Sequence, residues 1–322
     1  MHWSLIKIIS LLWLAVILQG CDQAISNPAP PPAVQEVKTM QPTTFTCVLE
    51  KDHNPPLDPE GEHYFQQART LEKVTGWEDW PTIVDLYQKA IEKNHWKAMN
   101  NLAIHYQKGR YGPDDKMDHP TGIKRDPAQA IRLYLRMVDL EVPMGYYNFA
   151  IAIGRGGVPN TQPKDAGIFM LKAANTGYPL AQVALGNHYS FGLPRAQQRD
   201  DIAEQYFKCA GRQDNTEALL EVAMFYEISK ENKPLALYFY QKAASLGRTV
   251  GAMSLSSAFK EGDIDKLGYE ANEELYLFYN QMRQQLQKDP ELRFPNLMKE
   301  HPLPRHPTQG YDADNPDERP NY

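Results

Sequence analysis

The sequence predicts an all-α chain, a solenoid of stacked helix–turn–helix repeats with a capping helix at each end. Three observations carry the prediction. A first register sets a small residue, an apolar one four later, a small or apolar one next, then an apolar, usually aromatic, one three further. It reads Ala98/Leu102/Ala103/Tyr106, Gly145/Phe149/Ala150/Ile153, Ala181/Leu185/Gly186/Tyr189, Ala218/Val222/Ala223/Tyr226 and Gly251/Leu255/Ser256/Phe259. A second register, with bulky apolar residues three and four after its start, begins at Ile83, Ala130, Ala166, Ala203 and Ala236. From each of these starts to the next first-register start is 15 residues: 83 to 98, 130 to 145, 166 to 181, 203 to 218, 236 to 251. The distance the other way varies as 32, 21, 22 and 18. Both registers have the i, i+3, i+4 spacing of an amphipathic helix. We call the first A and the second B: a fixed short turn joins B to the next A, and a variable loop joins A to B. One such pair cannot bury its own apolar face, so neighbours must stack.

The ends set the compartment. Ile8 to Leu18 is apolar except for Ser10. It is too short to span a bilayer, which takes about 20 residues, and has the length of a secretory signal core. It closes in Leu18-Gln19-Gly20-Cys21, which resembles a bacterial lipobox. That resemblance implies cleavage after residue 20 and lipidation of Cys21. Asp22 in the next position points to the inner membrane, with the outer membrane as the alternative. Residues 21–42, with "NPAPPPA", are a proline-rich tether that reaches on the order of 60 Å if extended. Residues 43–82 hold an extended lead and an N-terminal capping helix near 59–73. The repeat array occupies 83–268, a C-terminal capping helix 269–289, and a proline-rich tail 290–322.

Charge and cysteines narrow the partners. The net charge of −6, with no basic cluster, argues against nucleic acid and against an electrostatic grip on anionic lipid. With Cys21 lipidated, Cys47 and Cys209 remain. An even pair in an oxidising compartment is expected to form a disulfide, the alternative being two separate buried thiols.

The segments "ALGNHYSFG", "IGRGGVPN", "KDAGIFMLKAANTGYPLAQVALG" and "PLALYFYQKAASLG" resemble the Sel1-like repeat, a relative of the tetratricopeptide repeat. The resemblance covers residues 83–259 and implies a right-handed α-solenoid. Two departures stand out: a longer A-to-B loop, "QKGRYGPDDKMDHPTGIKRDP", and the loss of Lys-Ala-Ala around Cys209. The flanks "FTCVLEKDHNPPLDPEGEHYFQQARTLEK" and "LRFPNLMKEHPLPRHP" resemble a family of Sel1-like lipoproteins of proteobacteria. Some members are encoded beside phospholipase effectors of the type VI secretion system and act as their immunity proteins.

Catalytic chemistry finds no foothold in the sequence. "IGRGGVPN" suggests a phosphate cradle, but Val158-Pro159 stands where a P-loop needs Lys-Ser/Thr, and a helix precedes it where a dinucleotide fold needs a strand. Its place is the A-to-B corner, where glycine allows positive φ after a helix end. "DDKMDH" and "DADNPDE" lack the spacing and central glycine of a calcium loop, and His301 and His306 sit five apart in the tail. No Gly-x-Ser-x-Gly elbow and no His-x-Lys phospholipase pair occurs. No cofactor, nucleotide or metal is expected, and the chain is read as a binding protein, not an enzyme.

Two groups are candidates for partner contact. Trp77, Trp80 and Trp96 flank the first B helix outside the register; they either pack the cap or anchor a partner, since interface hot spots favour tryptophan. Tyr111, Asp114, Asp115 and Asp118 lie in the long loop, the kind of insertion that maps to a binding face, or that is simply solvated. The expected function is a periplasmic, lipid-anchored immunity protein that neutralises a phospholipase effector. The alternative is a repeat scaffold in envelope signalling or assembly.

Overall fold

The computed structural model describes residues 45–74, 79–109, 122–260, 267–304 and 306. Every regular element among them is a helix: α1 (Pro59–Val74), α2 (Trp80–Glu92), α3 (Trp96–Lys108), α4 (Pro127–Asp139), α5 (Pro143–Gly154), α6 (Pro163–Asn175), α7 (Pro179–Asn187), α8 (Asp200–Gly211), α9 (Thr216–Met224), α10 (Lys233–Ser245), α11 (Thr249–Phe259), α12 (Glu273–Lys288) and α13 (Leu297–Glu300). The fold is an all-α solenoid of helix pairs. The B helices are α2, α4, α6, α8 and α10; the A helices are α3, α5, α7, α9 and α11. Cα packing divides the chain in two. One unit holds Leu57–Arg136 and Asn148–Gly167; the other holds Met137–Tyr147 with the described residues of Thr39–Pro56 and Ile168–Tyr322.

The constant 15-residue spacing has a backbone cause. Four of the five B-to-A turns place one residue in the left-handed region eleven positions after the B start: Asn94 (φ 58), Glu141 (φ 57), Gly177 (φ 92) and Gly247 (φ 90). Its N–H bonds back three residues and the next N–H bonds back five, as in Gly177 to Ala174 (3.0 Å) and Tyr178 to Ala173 (2.8 Å). These bonds satisfy the carbonyls a helix end leaves open. The α8–α9 turn keeps the same 15-residue spacing without a left-handed residue, α8 ending one residue earlier in its register than the other B helices. Small A-start residues then sit on the B helix. A Cβ on Gly251 would run into the Tyr240 carbonyl and approach the Ala244 nitrogen to 2.8 Å.

In the second unit the core is a run of aromatic rings joining consecutive repeats. The residue eight after an A start stacks on the residue three after the next B start: Tyr189 on Tyr206 (5.9 Å) and Tyr226 on Phe239 (5.7 Å). Phe259 finds Tyr279 of α12 in the same role at 6.0 Å. The last long helix therefore closes the array by standing where a further B helix would stand.

Both irregular flanks are held by glutamines, with Gln182 and Gln241 buried and Gln213 half-buried. Gln182, fully buried, donates to the Val48 carbonyl at 2.8 Å. Gln213 accepts from the Glu50 N–H at 2.9 Å and donates to the Gly177 carbonyl at 2.8 Å. Cys47 and Cys209 are disulfide-bonded beside them, with Cα atoms 5.4 Å apart, and Phe45 packs on Tyr206 at 4.3 Å. At the other end Gln241 donates to the Tyr279 hydroxyl (3.0 Å) and the His301 carbonyl (2.6 Å).

Candidate partner-binding surface

The glycine corner does the work of a helix end. The Gly156 N–H bonds the Ile153 carbonyl at 2.8 Å and the Gly157 N–H the Ala152 carbonyl at 3.0 Å. Gly156 takes φ 69, which costs glycine little. The amides that would have to cradle a phosphate are already spent on the helix.

The tryptophans that the structure describes belong to the first unit's polar core. Trp96 opens α3 and is 7% exposed, so its ring is packing and offers a partner almost nothing. Trp80 opens α2 and lies edge-on to the His105 ring at 4.8 Å. Around them two carboxylate–histidine rungs tie α1 to α3: Glu62 to His95 at 2.9 Å and Glu72 to His105 at 2.7 Å. His95 Nδ1 accepts the Ala98 N–H at 3.1 Å, so in the neutral ring Nε2 carries the proton and donates to Glu62. Burial pushes the Glu72 carboxyl up, but hydrogen bonds from His105 and Tyr87 and the Arg69 charge outweigh it and hold the group below its usual value. Burial pushes the Tyr87 hydroxyl up to about 12. Trp77, Tyr111, Asp114, Asp115, Asp118 and Cys21 lie outside the described residues, as do both acidic loops.

A surface that the sequence reading passed over lies on the A helices of the second unit. Phe191, Met224, Ile228, Val250 and Met253 are 39–63% exposed there. Phe191 and Ile228 both stand ten residues after their A starts, each in a π-helical turn (His188–Gly192 and Phe225–Ser229) that extends its helix. Turns of this kind recur at functional sites. Met224 and Ile228 are four apart, and Val250 and Met253 three apart, so each pair shares one helix face.

Polar contacts link these helices in a row. The Asn187 side chain of α7 bonds the Glu221 carboxyl of α9. Tyr240 donates its hydroxyl to Glu227 at 2.6 Å and also meets Ser254 of α11. The Glu221 residue is exposed, yet neighbouring groups crowd its carboxyl, and that burial raises its pKa above the usual value. Within residues 179–192, 216–229 and 249–259 there are three carboxylates, Glu217, Glu221 and Glu227, and no lysine or arginine. Nearby cations are engaged elsewhere: Lys230 with Glu204 at 3.5 Å, Lys242 with Asp214 at 3.2 Å, Arg248 with Glu217 at 3.6 Å. Among the described residues no cation pairs with Glu221 or Glu227.

One cleft, about 390 Å³, opens between α12 and the tail beside Phe278, Met282, Phe294 and His301. Its Arg293 is spent on the carbonyls of Pro290 and Leu292. Among the described residues no group of three metal-ligating side chains gathers.

Comparisons with known proteins converge on one kind. The Sel1 repeat family model matches residues 96–141, 179–215 and 216–247. The solved structure of immunity protein PA5088 from Pseudomonas aeruginosa is 41% identical, covers 85% of this chain and 100% of its own, and superposes with a TM-score of 0.70. Immunity protein Pa5087 from the same organism is 38% identical over 85% of this chain and 100% of its own, at 0.67. Pseudomonas aeruginosa 5086 is 40% identical over 84% and 99%, also at 0.67. No curated protein sequence matches.

Proposed function

The chain belongs to the family of Sel1-repeat immunity proteins, and from that premise we propose that it neutralises a phospholipase effector of a type VI secretion system, from a lipid anchor in the periplasm. The observation that carries the reading is its likeness, at 38% and 41% identity over 85% of the chain, to two immunity proteins. The second unit adds a broad face of exposed apolar side chains, the kind of patch that marks a protein-binding site. The lipobox-like Leu18-Gln19-Gly20-Cys21 supports the anchor, which would hold the protein at the membrane such an effector attacks. Neutralisation then requires only binding, by covering the effector's active site or holding it off the bilayer.

The test expresses a phospholipase effector encoded beside this chain's gene, directed to the periplasm, with and without the chain. Survival and a co-purifying complex are expected; continued killing with no complex sinks the proposal. Fractionation of the Cys21→Ser form tests the anchor. It should leave the membrane fraction, and unchanged membrane association would overturn the lipidation.

A further inference from the structure

We infer that the A-helix face of the second unit, from Phe191 through Glu221, Met224, Glu227 and Ile228 to Met253, docks a cationic, apolar segment of a partner protein, with a Lys or Arg seated between Glu221 and Glu227. The inference rests on the proposed immunity function for the partner's identity, but not for the chemistry of the face. Two properties define that chemistry. Bulky apolar side chains stand in solvent at repeating positions on neighbouring A helices, while each helix buries its small and aromatic register positions against its neighbours. Among them lie Glu221, exposed and bonded to Asn187, and Glu227, half-buried and bonded to Tyr240, neither paired with a cation among the described residues.

Shape and charge select the occupant together. An exposed Phe191, Met224, Ile228 and Met253 gain from a partner's apolar ridge, and methionine adapts to irregular partners. Glu221 and Glu227 already accept one neutral donor each, from Asn187 and Tyr240. A guanidinium or ammonium would convert them to charge-assisted pairs. An anionic lipid surface meets these carboxylates with like charge and is disfavoured. The chain's own C-terminal end is disfavoured too, because "YDADNPDERPNY" carries four acids and one arginine. A segment with apolar residues and a cation on one helical face fits both properties, in the helix-in-groove manner.

The experiment uses the full soluble chain from Asp22 onward with its disulfide intact, in two arms. In the first, the effector that complexes with the wild type is titrated against Glu221→Lys, Glu227→Lys, Met224→Asp and Met253→Asp, with Glu300→Lys, on α13 and not among the face residues, as a control. Each face variant should weaken binding about tenfold or more, since tenfold corresponds to about 1.4 kcal/mol, and the control should not. Circular dichroism melts check that each substitution leaves the fold intact. Full-strength binding by all four face variants overturns the inference while leaving the immunity reading in place. The second arm needs no effector: a labelled 18-residue amphipathic Leu/Lys peptide and its Leu/Glu counterpart are compared by fluorescence anisotropy. Preference for Leu/Lys, lost in Glu221→Lys, supports the face even if the effector reading fails. Equal binding of the two peptides, or binding unchanged by the substitutions, overturns it. Dimerisation in sedimentation that the Met253→Asp change abolishes would also overturn it, by assigning the face to a second copy of the chain.

Discussion

Glu72 shows how much one buried carboxylate decides in the first unit. It is shared by His105, Tyr87 and Arg69, and these partners outweigh the burial that alone would raise its pKa from 4.5. A carboxyl held low in the folded state contributes stability above its unfolded pKa and loses it as pH falls through the folded value. Glu72→Gln is therefore expected to cost about 2 kcal/mol at neutral pH, with the deficit shrinking below about pH 4. Urea melts of both forms at pH 7 and at pH 3.5 check this; a deficit independent of pH would remove the ionic account. The sequence marks Glu72 as nothing more than a helix acid. Its 33-residue separation from His105 carries no periodic signal, so the pair is visible only once α1 lies against α3. Trp96 is a similar case. Its position outside the register left both packing and partner contact open, and burial assigns it to packing.

At the scale of the element, the B-to-A turn is the repeated device. Glycine fills its left-handed position after α6 and α10, but Glu141 occupies it after α4 at φ 57. An L-residue pays roughly 1 kcal/mol in that region, partly offset because glycine loses more entropy on folding. Glu141→Gly should raise stability by about 0.5 kcal/mol, read as a rise in thermal midpoint; a fall would show that the Glu141 side chain matters more than its backbone. The A-start residue is constrained from the other direction. With the Tyr240 carbonyl and the Ala244 nitrogen against it, Gly251→Val should cost about 1–3 kcal/mol by overpacking, and calorimetry of the variant measures that cost. The helices, their order and the fixed turn were legible in the sequence because each depends on neighbours within four residues. The π-helical ends of α7 and α9 were not, since an added residue in a turn leaves the apolar spacing almost unchanged.

At the scale of the whole molecule, the flanks are fastened by few contacts of long reach. The Cys47–Cys209 bond closes 162 residues of chain, and a loop of that size favours the native state mainly by restricting the unfolded one. Replacing both cysteines by alanine should lower the second unit's stability by about 2–4 kcal/mol. Denaturant unfolding with hydrogen exchange at Val48 to Asp52 is the measurement. Unchanged stability would mean that Gln182 and Gln213 suffice to hold the lead segment. The candidate face also belongs to this scale. Its signal was present, in three A helices with three carboxylates and no cation, but the same apolar residues read equally well as core.

The sequence by itself determined the helix pairs, the length of the turn within each pair, and the family they place the chain in. These follow from periodicity and local backbone chemistry, which act over a few residues. Only the tertiary structure decided that Tyr279 completes the aromatic run, that buried glutamines grip both flanks, and that Phe191, Met224, Ile228 and Met253 stay in solvent. Each of these depends on what lies opposite a side chain after stacking. The Gln182 amide meets the Val48 carbonyl across 134 residues, and no local pattern encodes a meeting at that distance.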